Sequence, residues 1–242
     1  MISVRASRAV YSNWVKLIVF FLSIVIPNAN AGWDNADLER IEAMSLDPDY
    51  KRGRAVYETC AVCHMPEGWG TPNGAYPQIA GQHRSVVIKQ LADIRAKNRD
   101  NPSMYPFAIP EEIGGAQAIA DVAHYIESLK MTTATGKGDG SDLEHGEKLY
   151  KQYCIECHGE QGQGQFEKAY PAIHGQHYNY LLRQLIWIQN GKRRNSNTEM
   201  VKVIETFDDR DFKAISDYVS RMLPVAERRS ERTWKDRGLQ ER

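Results

Sequence analysis

One pentapeptide occurs twice in this chain, and it constrains the fold more than any other feature. Cys60-Ala61-Val62-Cys63-His64 is the first copy and Cys154-Ile155-Glu156-Cys157-His158 the second; together they use all four cysteines of the 242-residue sequence. C-x-x-C-H is the attachment signature of a c-type haem. Two thiols three residues apart on a helical turn reach the two vinyl groups of one porphyrin. The adjacent histidine then points its ring at the iron from the same side. A redox disulfide of the thioredoxin kind would need a βαβ context, which is missing. Zinc ribbons keep their cysteine pairs closer together, whereas ninety residues lie between Cys63 and Cys154. Neither alternative explains a histidine after both pairs. The expected cofactors are two covalent haems c, bound through Cys60, Cys63, Cys154 and Cys157, with His64 and His158 as axial iron ligands.

The motifs belong to a larger repeat. Shifting the sequence by 94 residues places Cys60 on Cys154, and 17 of 42 positions are then identical between residues 60–101 and 154–195. Tyr76-Pro77-x-Ile79-x-Gly81-Gln82-His83 matches Tyr170-Pro171-x-Ile173-x-Gly175-Gln176-His177, and Arg99-x-Asn101 matches Arg193-x-Asn195. The chain reads as a tandem duplication with one haem per copy, joined by a Gly-rich polar linker over residues 132–142. Each copy has the same helical plan. A short helix leads into the haem motif, around 53–59 and 146–153. A middle helix follows, with Val87, Leu91 and Ile94, or Leu181, Leu185 and Ile188. A last helix carries Ile119, Val122, Ala123, Ile126 and Leu129, or Phe212, Ile215, Val219 and Met222. These spacings mark one buried helix face each, and strand-like alternation is absent. The fold class is therefore all-α.

The iron needs a sixth ligand, and methionine opposite histidine is the usual solution in electron-transfer c-type haems. Met104 lies 40 residues after His64 and Met200 lies 42 after His158, each after a polar, loop-like stretch and before the last helix. They are the expected distal ligands. Met65 adjoins a proximal histidine, Met44 precedes the first motif, and Met131 and Met222 end the last helices, where core packing is the expectation. His83 and His177 compete as distal ligands. Each lies only 19 residues after its motif, beside a Gly-Gln turn, and is read as a surface or propionate-side residue. His124 and His174 are read as structural.

The order of these motifs, twice over about residues 50–224, resembles the diheme cytochromes of the cytochrome c4 type. That resemblance implies two tandem class I cytochrome c domains, each with one covalent haem, related by a pseudo-twofold. It implies that the Pro77 and Pro171 carbonyls accept the proximal histidine N–H, a bond that orients the ring and tunes the iron. It places Gly53 with Tyr57, and Gly146 with Tyr150, where the first helix crosses the last, against Tyr125 and Tyr218. Arg99 and Arg193 become propionate partners near the domain interface. The sequence departs from the pattern at Met65-Pro66, where glycine is usual and where Gly159 stands in the second copy. The first loop also carries Trp69. The two haems are thus expected to be inequivalent.

The termini complete the outline. Residues 1–31 read as a cleavable export signal: Arg5, Arg8 and Lys16 precede an apolar run, Leu17 to Ile26, and Ala29-Asn30-Ala31 forms a small-residue cleavage site. A run of ten residues is short of the roughly 20 that a spanning helix needs, so a retained anchor is the lesser alternative. Residues 32–134 and 135–224 are the two domains. The first opens with an acidic helix over 32–50, and residues 225–242 form a charged, solvated tail. Lysine plus arginine and aspartate plus glutamate number 31 each. No strongly basic face of the kind that binds nucleic acid is indicated. The expected role is a periplasmic diheme carrier passing single electrons from a quinol-oxidising complex or dehydrogenase to a terminal oxidase or reductase. Its partners are redox proteins, with peripheral membrane association open and the protein acting as a monomer or within a complex. The alternatives are an electron-entry subunit of a larger redox complex, or a diheme enzyme of the thiosulfate-oxidising or peroxidase type. With no cysteine left over and a methionine in each copy, no catalytic residue is assigned.

Overall fold

The computed structural model describes residues 31–231. The export signal, apart from Ala31, and the tail beyond Glu231 lie outside the described residues. The first repeat contains α1 (Ala31–Ser45), α2 (Tyr50–His64), α3 (Arg84–Arg95), the single turns α4 (Tyr105–Ala108) and α5 (Pro110–Ile113), and α6 (Ala116–Ser128). The second contains α7 (Leu143–Tyr153), α8 (Ile155–His158), α9 (Tyr178–Gln189), α10 (Thr198–Ile204) and α11 (Asp209–Ser220). Among the described residues the only β pairing is two isolated bridges, Met131 with Arg229 and Gln165 with Tyr170.

Each domain is a helix crossing with a haem-motif loop folded against it. α2 starts at Asp49, whose side chain accepts from the Arg52 N–H at 2.8 Å. Gly53 then meets α6 so closely that a Cβ there would lie 2.1 Å from the Asp121 carbonyl oxygen. Gly146 meets α11 in the same way, 2.2 Å from the Ala214 oxygen. Tyr57 stacks on Tyr125 with ring centroids 5.1 Å apart, and Tyr150 on Tyr218 at 5.7 Å. The apolar stripes read from the sequence face these crossings. Ile119, Val122, Ala123 and Ile126 are buried in one core, and Phe212, Ile215 and Val219 in the other. Burying each large apolar side chain contributes roughly 1.5–3 kcal/mol. The expected acidic first helix is present but stops at Ser45 instead of running to residue 50: α1 packs Ala36 and Ala43 inward, and Glu39 pairs with the buried Arg95 guanidinium.

The linker between the domains is held in place, and two other sequence readings need correction. The linker over residues 132–142 is irregular but pinned. The Gly138 and Gly140 N–H groups donate to the Asp217 carboxylate at 3.0 and 2.7 Å, and the Thr132 N–H donates to the Gln78 side chain at 2.8 Å. The start of the charged tail is bound rather than solvated. Met131 N–H donates to Arg228 O and Ser230 N–H to Met131 O, both at 2.8 Å, while the Arg228 guanidinium donates to Gly81 O at 2.5 Å. Residues 225–230 therefore strap back onto the first domain. His83 and His177, expected at the surface or by the propionates, instead bridge the domains. His83 Nε2 donates to Gln163 O at 2.7 Å, and the fully buried His177 Nε2 donates to Trp69 O at 2.7 Å.

These bridges are two halves of one symmetric interface, because positions 69 and 163 are equivalent under the 94-residue shift. The adjacent glutamines repeat the relation. Gln82 donates to Ala172 O at 2.9 Å and accepts from Ala172 N–H at 3.0 Å; Gln176 donates to Gln78 O at 2.8 Å and accepts from Gln78 N–H at 3.0 Å. The pseudo-twofold is thus written in hydrogen bonds between equivalent residues.

Candidate haem sites

His64 ends α2 and His158 ends α8, and both side chains are buried. His64 Nδ1–H donates to Pro77 O at 3.0 Å, and His158 Nδ1–H donates to Pro171 O at 2.9 Å. Each ring is held in one tautomer, with Nε2 left free as a ligand atom. Burial pushes both imidazoles below the ordinary histidine range, against the raising effect of the proline carbonyls, so each is neutral and able to bind a metal. The segment after each histidine closes onto it. Gly70 N–H donates to His64 O at 3.0 Å, and Gly164 N–H to His158 O at 2.8 Å. Tyr57 and Tyr150, fixed at the helix crossings, donate to Met65 O at 2.8 Å and Gly159 O at 2.5 Å.

The cysteines lie along the same helical turns. Burial pushes the Cys60 thiol up to about 11 and the Cys154 thiol up to about 12. Among the described residues no three His, Cys, Asp or Glu side chains come together to hold a metal ion directly. Met104 packs against the same core as Cys60, and Met200 against the same core as Cys154. Their backbone setting differs from the expected loop. Met104 is the N-cap of α4, and Met200 lies in the first turn of α10, whose Asn197 cap accepts from Glu199 N–H at 2.8 Å. The asparagine three residues before Met200 was the available sign of that helix start.

Arg99 and Arg193 meet between the domains. Arg99 donates to Gln90 at 2.8 Å and Gln184 at 3.4 Å; Arg193 donates to Gln184 at 3.0 Å and Gln90 at 3.3 Å. Two guanidiniums thus share two neutral amide oxygens. Burial and the neighbouring Arg99 charge push Arg193 down to about 10, and its buried Nε has no hydrogen-bond partner. An interior cation with an open donor calls for an anion, and a haem propionate meets that requirement. The residues present therefore fit the cofactor. Sequence reading missed Gln90 and Gln184 here, although both recur in the repeat.

Comparison with known proteins agrees with this geometry. Residues 50–130 match the family model described as cytochrome c, and residues 141–219 the one described as cytochrome c oxidase, cbb3-type, subunit III. Cytochrome c4 of Azotobacter vinelandii is 31% identical over 188 residues, 71% of this chain and 88% of that protein. The chain belongs to the cytochrome c4 family. The crystal structure of reduced recombinant cytochrome c4 from Pseudomonas stutzeri superposes with a TM-score of 0.65 at 27% identity, covering 73% of this chain and 100% of that one. A thiosulfate dehydrogenase from Marichromatium purpuratum superposes at 0.60 with 26% identity, but over only 40% of its chain. This cytochrome c4 homologue is a diheme electron-transfer cytochrome with two covalent haems c. Its fold is two tandem cytochrome c domains, and it works with redox partners. Among the described residues no helix is long and apolar enough to cross a membrane.

Proposed function

We propose that this protein is a periplasmic carrier whose two irons are both closed by histidine and methionine. His64 and Met104 would hold the iron of the first domain and His158 and Met200 that of the second, with thioether bonds to the porphyrin from Cys60, Cys63, Cys154 and Cys157. The observation that carries the reading is the pairing in each domain of a neutral imidazole, anchored through Nδ1 to a proline carbonyl, with a methionine packed on the same core. Haem iron supplies the one-electron ferric/ferrous couple. The chain supplies ring orientation through Pro77 and Pro171, thioether ligands from α4 and α10, and the paired cations Arg99 and Arg193 for propionates. Electrons enter from a quinol-oxidising complex or a dehydrogenase and leave to a terminal oxidase or reductase.

An enzyme of the thiosulfate-oxidising type would need an open or labile iron position, and each domain offers a methionine for it. Met104→His and Met200→His are each expected to lower one potential and leave the other in place, because a second imidazole replaces the thioether that raises the potential. The ferric protein should show the weak far-red band of sulfur–iron ligation, and the reduced protein should not bind carbon monoxide rapidly. Rapid binding at either haem contradicts the closed-carrier reading.

A further inference from the structure

The cross-domain contacts end on particular backbone positions. Gln82 of the first domain grips both the N–H and the C=O of Ala172, the residue directly after Pro171, whose carbonyl holds His158. Gln176 of the second domain grips Gln78, directly after Pro77, whose carbonyl holds His64. The histidines act on the other end of the same loops. His83 binds Gln163 O and His177 binds Trp69 O, and the next residue in each case, Gly164 or Gly70, donates to the backbone carbonyl of the proximal histidine. Each domain therefore clamps, at two points, the loop that orients the other domain's haem histidine.

We propose that Gln82 with His83 and Gln176 with His177 are positioning residues acting in trans, so that each domain tunes the haem of its partner rather than its own. A histidine N–H bonded to a fixed carbonyl makes the imidazole a stronger donor, which favours the ferric state. Releasing the carbonyl weakens that bond and raises the potential. The two directions are unequal. Gln78 is tied a second time, its side chain accepting from Thr132 N–H at 2.8 Å and donating to Gly175 O, whereas Ala172 has no such side chain. The His158 haem is the more dependent on its clamp.

The inference rests on His64 and His158 being iron ligands. The test uses the full-length diheme protein with Gln82→Ala and Gln176→Ala. NMR of partly reduced samples reads each haem separately, the haem signals being assigned to their domains through neighbouring side chains. Solvent exchange of the two histidine Nδ1–H protons is followed in the reduced protein. Gln82→Ala is expected to raise the reduced-to-oxidised ratio of the His158 haem about threefold at fixed potential, about 28 mV at ~59 mV per tenfold for one electron. It should also speed exchange at His158 while leaving His64 unchanged. Gln176→Ala should give the mirror pattern on His64 with a smaller shift. Should Gln82→Ala fail to load both haems, His83→Ala releases the same loop from its Gln163 end and must give the same pattern. A shift confined to the variant's own haem, an equal shift of both, or no shift in the folded diheme protein overturns the proposal. A histidine whose ring protons lack the strong upfield shift of an iron ligand overturns instead the ligand assignment, and the two failures are distinguishable.

Discussion

The turn after the first haem motif carries a strain that can be measured. Met65 ends α2 at φ 69°, ψ 157°, a conformation that side-chain-bearing residues rarely adopt. Its counterpart Gly159 has φ 77°, ψ 165°, so the second domain makes the same turn with the residue suited to it. Such a conformation costs a non-glycine residue roughly 1–3 kcal/mol. Met65→Gly removes that strain, gives back about 0.4–1 kcal/mol through the freer unfolded chain, and forfeits about 1–2 kcal/mol of burial, because most of the side chain is covered. Strain relief and these two losses therefore cancel to within about 1 kcal/mol. For a cooperative unit of this size 1 kcal/mol is about 2–4 °C of Tm, and Met65→Gly should melt within that range of the wild type. Gly159→Ala is the reverse experiment. The atoms nearest its Cβ would be the end of the exposed Gln163 side chain, 2.3 Å from Nε2, which can swing away at the loss of the bond it accepts from Gln161 N–H. Backbone strain then dominates with no side-chain burial to offset it, and Tm should fall by about 2–4 °C. Calorimetry of the oxidised diheme protein reads both. A Gly159→Ala protein that melts with the wild type or above it refutes the reasoning, because it would mean that the turn costs a side chain nothing.

Two further outcomes follow from the helix crossings. Gly53→Ala and Gly146→Ala each push a Cβ into backbone oxygen at 2.1 and 2.2 Å, which no rotamer change can relieve; each should cost about 1–3 kcal/mol in denaturant melts. Asp121 has its carboxyl pushed up by burial, but Arg52 at 2.6 Å, Asp49 N–H and the Gln117 amide together hold it below the ordinary range. A folded value below the unfolded one means that its stabilisation is complete above about pH 3.9 and is lost as pH falls through the lower folded value. Asp121→Asn should therefore be less stable than wild type at pH 7, with the gap narrowing in melts at successively lower pH; a gap independent of pH rules out this account.

The sequence carried the architecture because its strongest signals were covalent and periodic. The cysteine pairs locate the haems, the 94-residue shift reveals the duplication, and the spacing of Ile119, Val122 and Ile126, or of Phe212, Ile215 and Val219, marks the buried faces. The interface was not legible in the same way. His177 and Gln176 read as polar residues beside a turn glycine. Nothing local says that their partners lie 108 and 98 positions away on backbone atoms. The tail after Pro224 read as charged and solvated because charge density alone cannot tell a free segment from one whose backbone pairs with Met131. Arg99 and Arg193 were legible as cations but not as neighbours, since their meeting depends on how the two copies dock.

The chemistry of that docking explains which parts of the repeat match. The gripping side chains are identical in the two copies: Gln82 and Gln176, His83 and His177. The residues they grip are not: Gln78 against Ala172, and Trp69 against Gln163. The contacts land on main-chain N–H and C=O groups, which every one of these residues offers regardless of its side chain. A duplicated domain can therefore hold the interface with a fixed pair of side chains per copy while the gripped loops vary. Those loops flank Pro77 and Pro171, so variation is allowed at the positions that shape each haem's surroundings. Reading backbone across the interface instead of side chain thus lets a symmetric frame hold two haem sites with different linings.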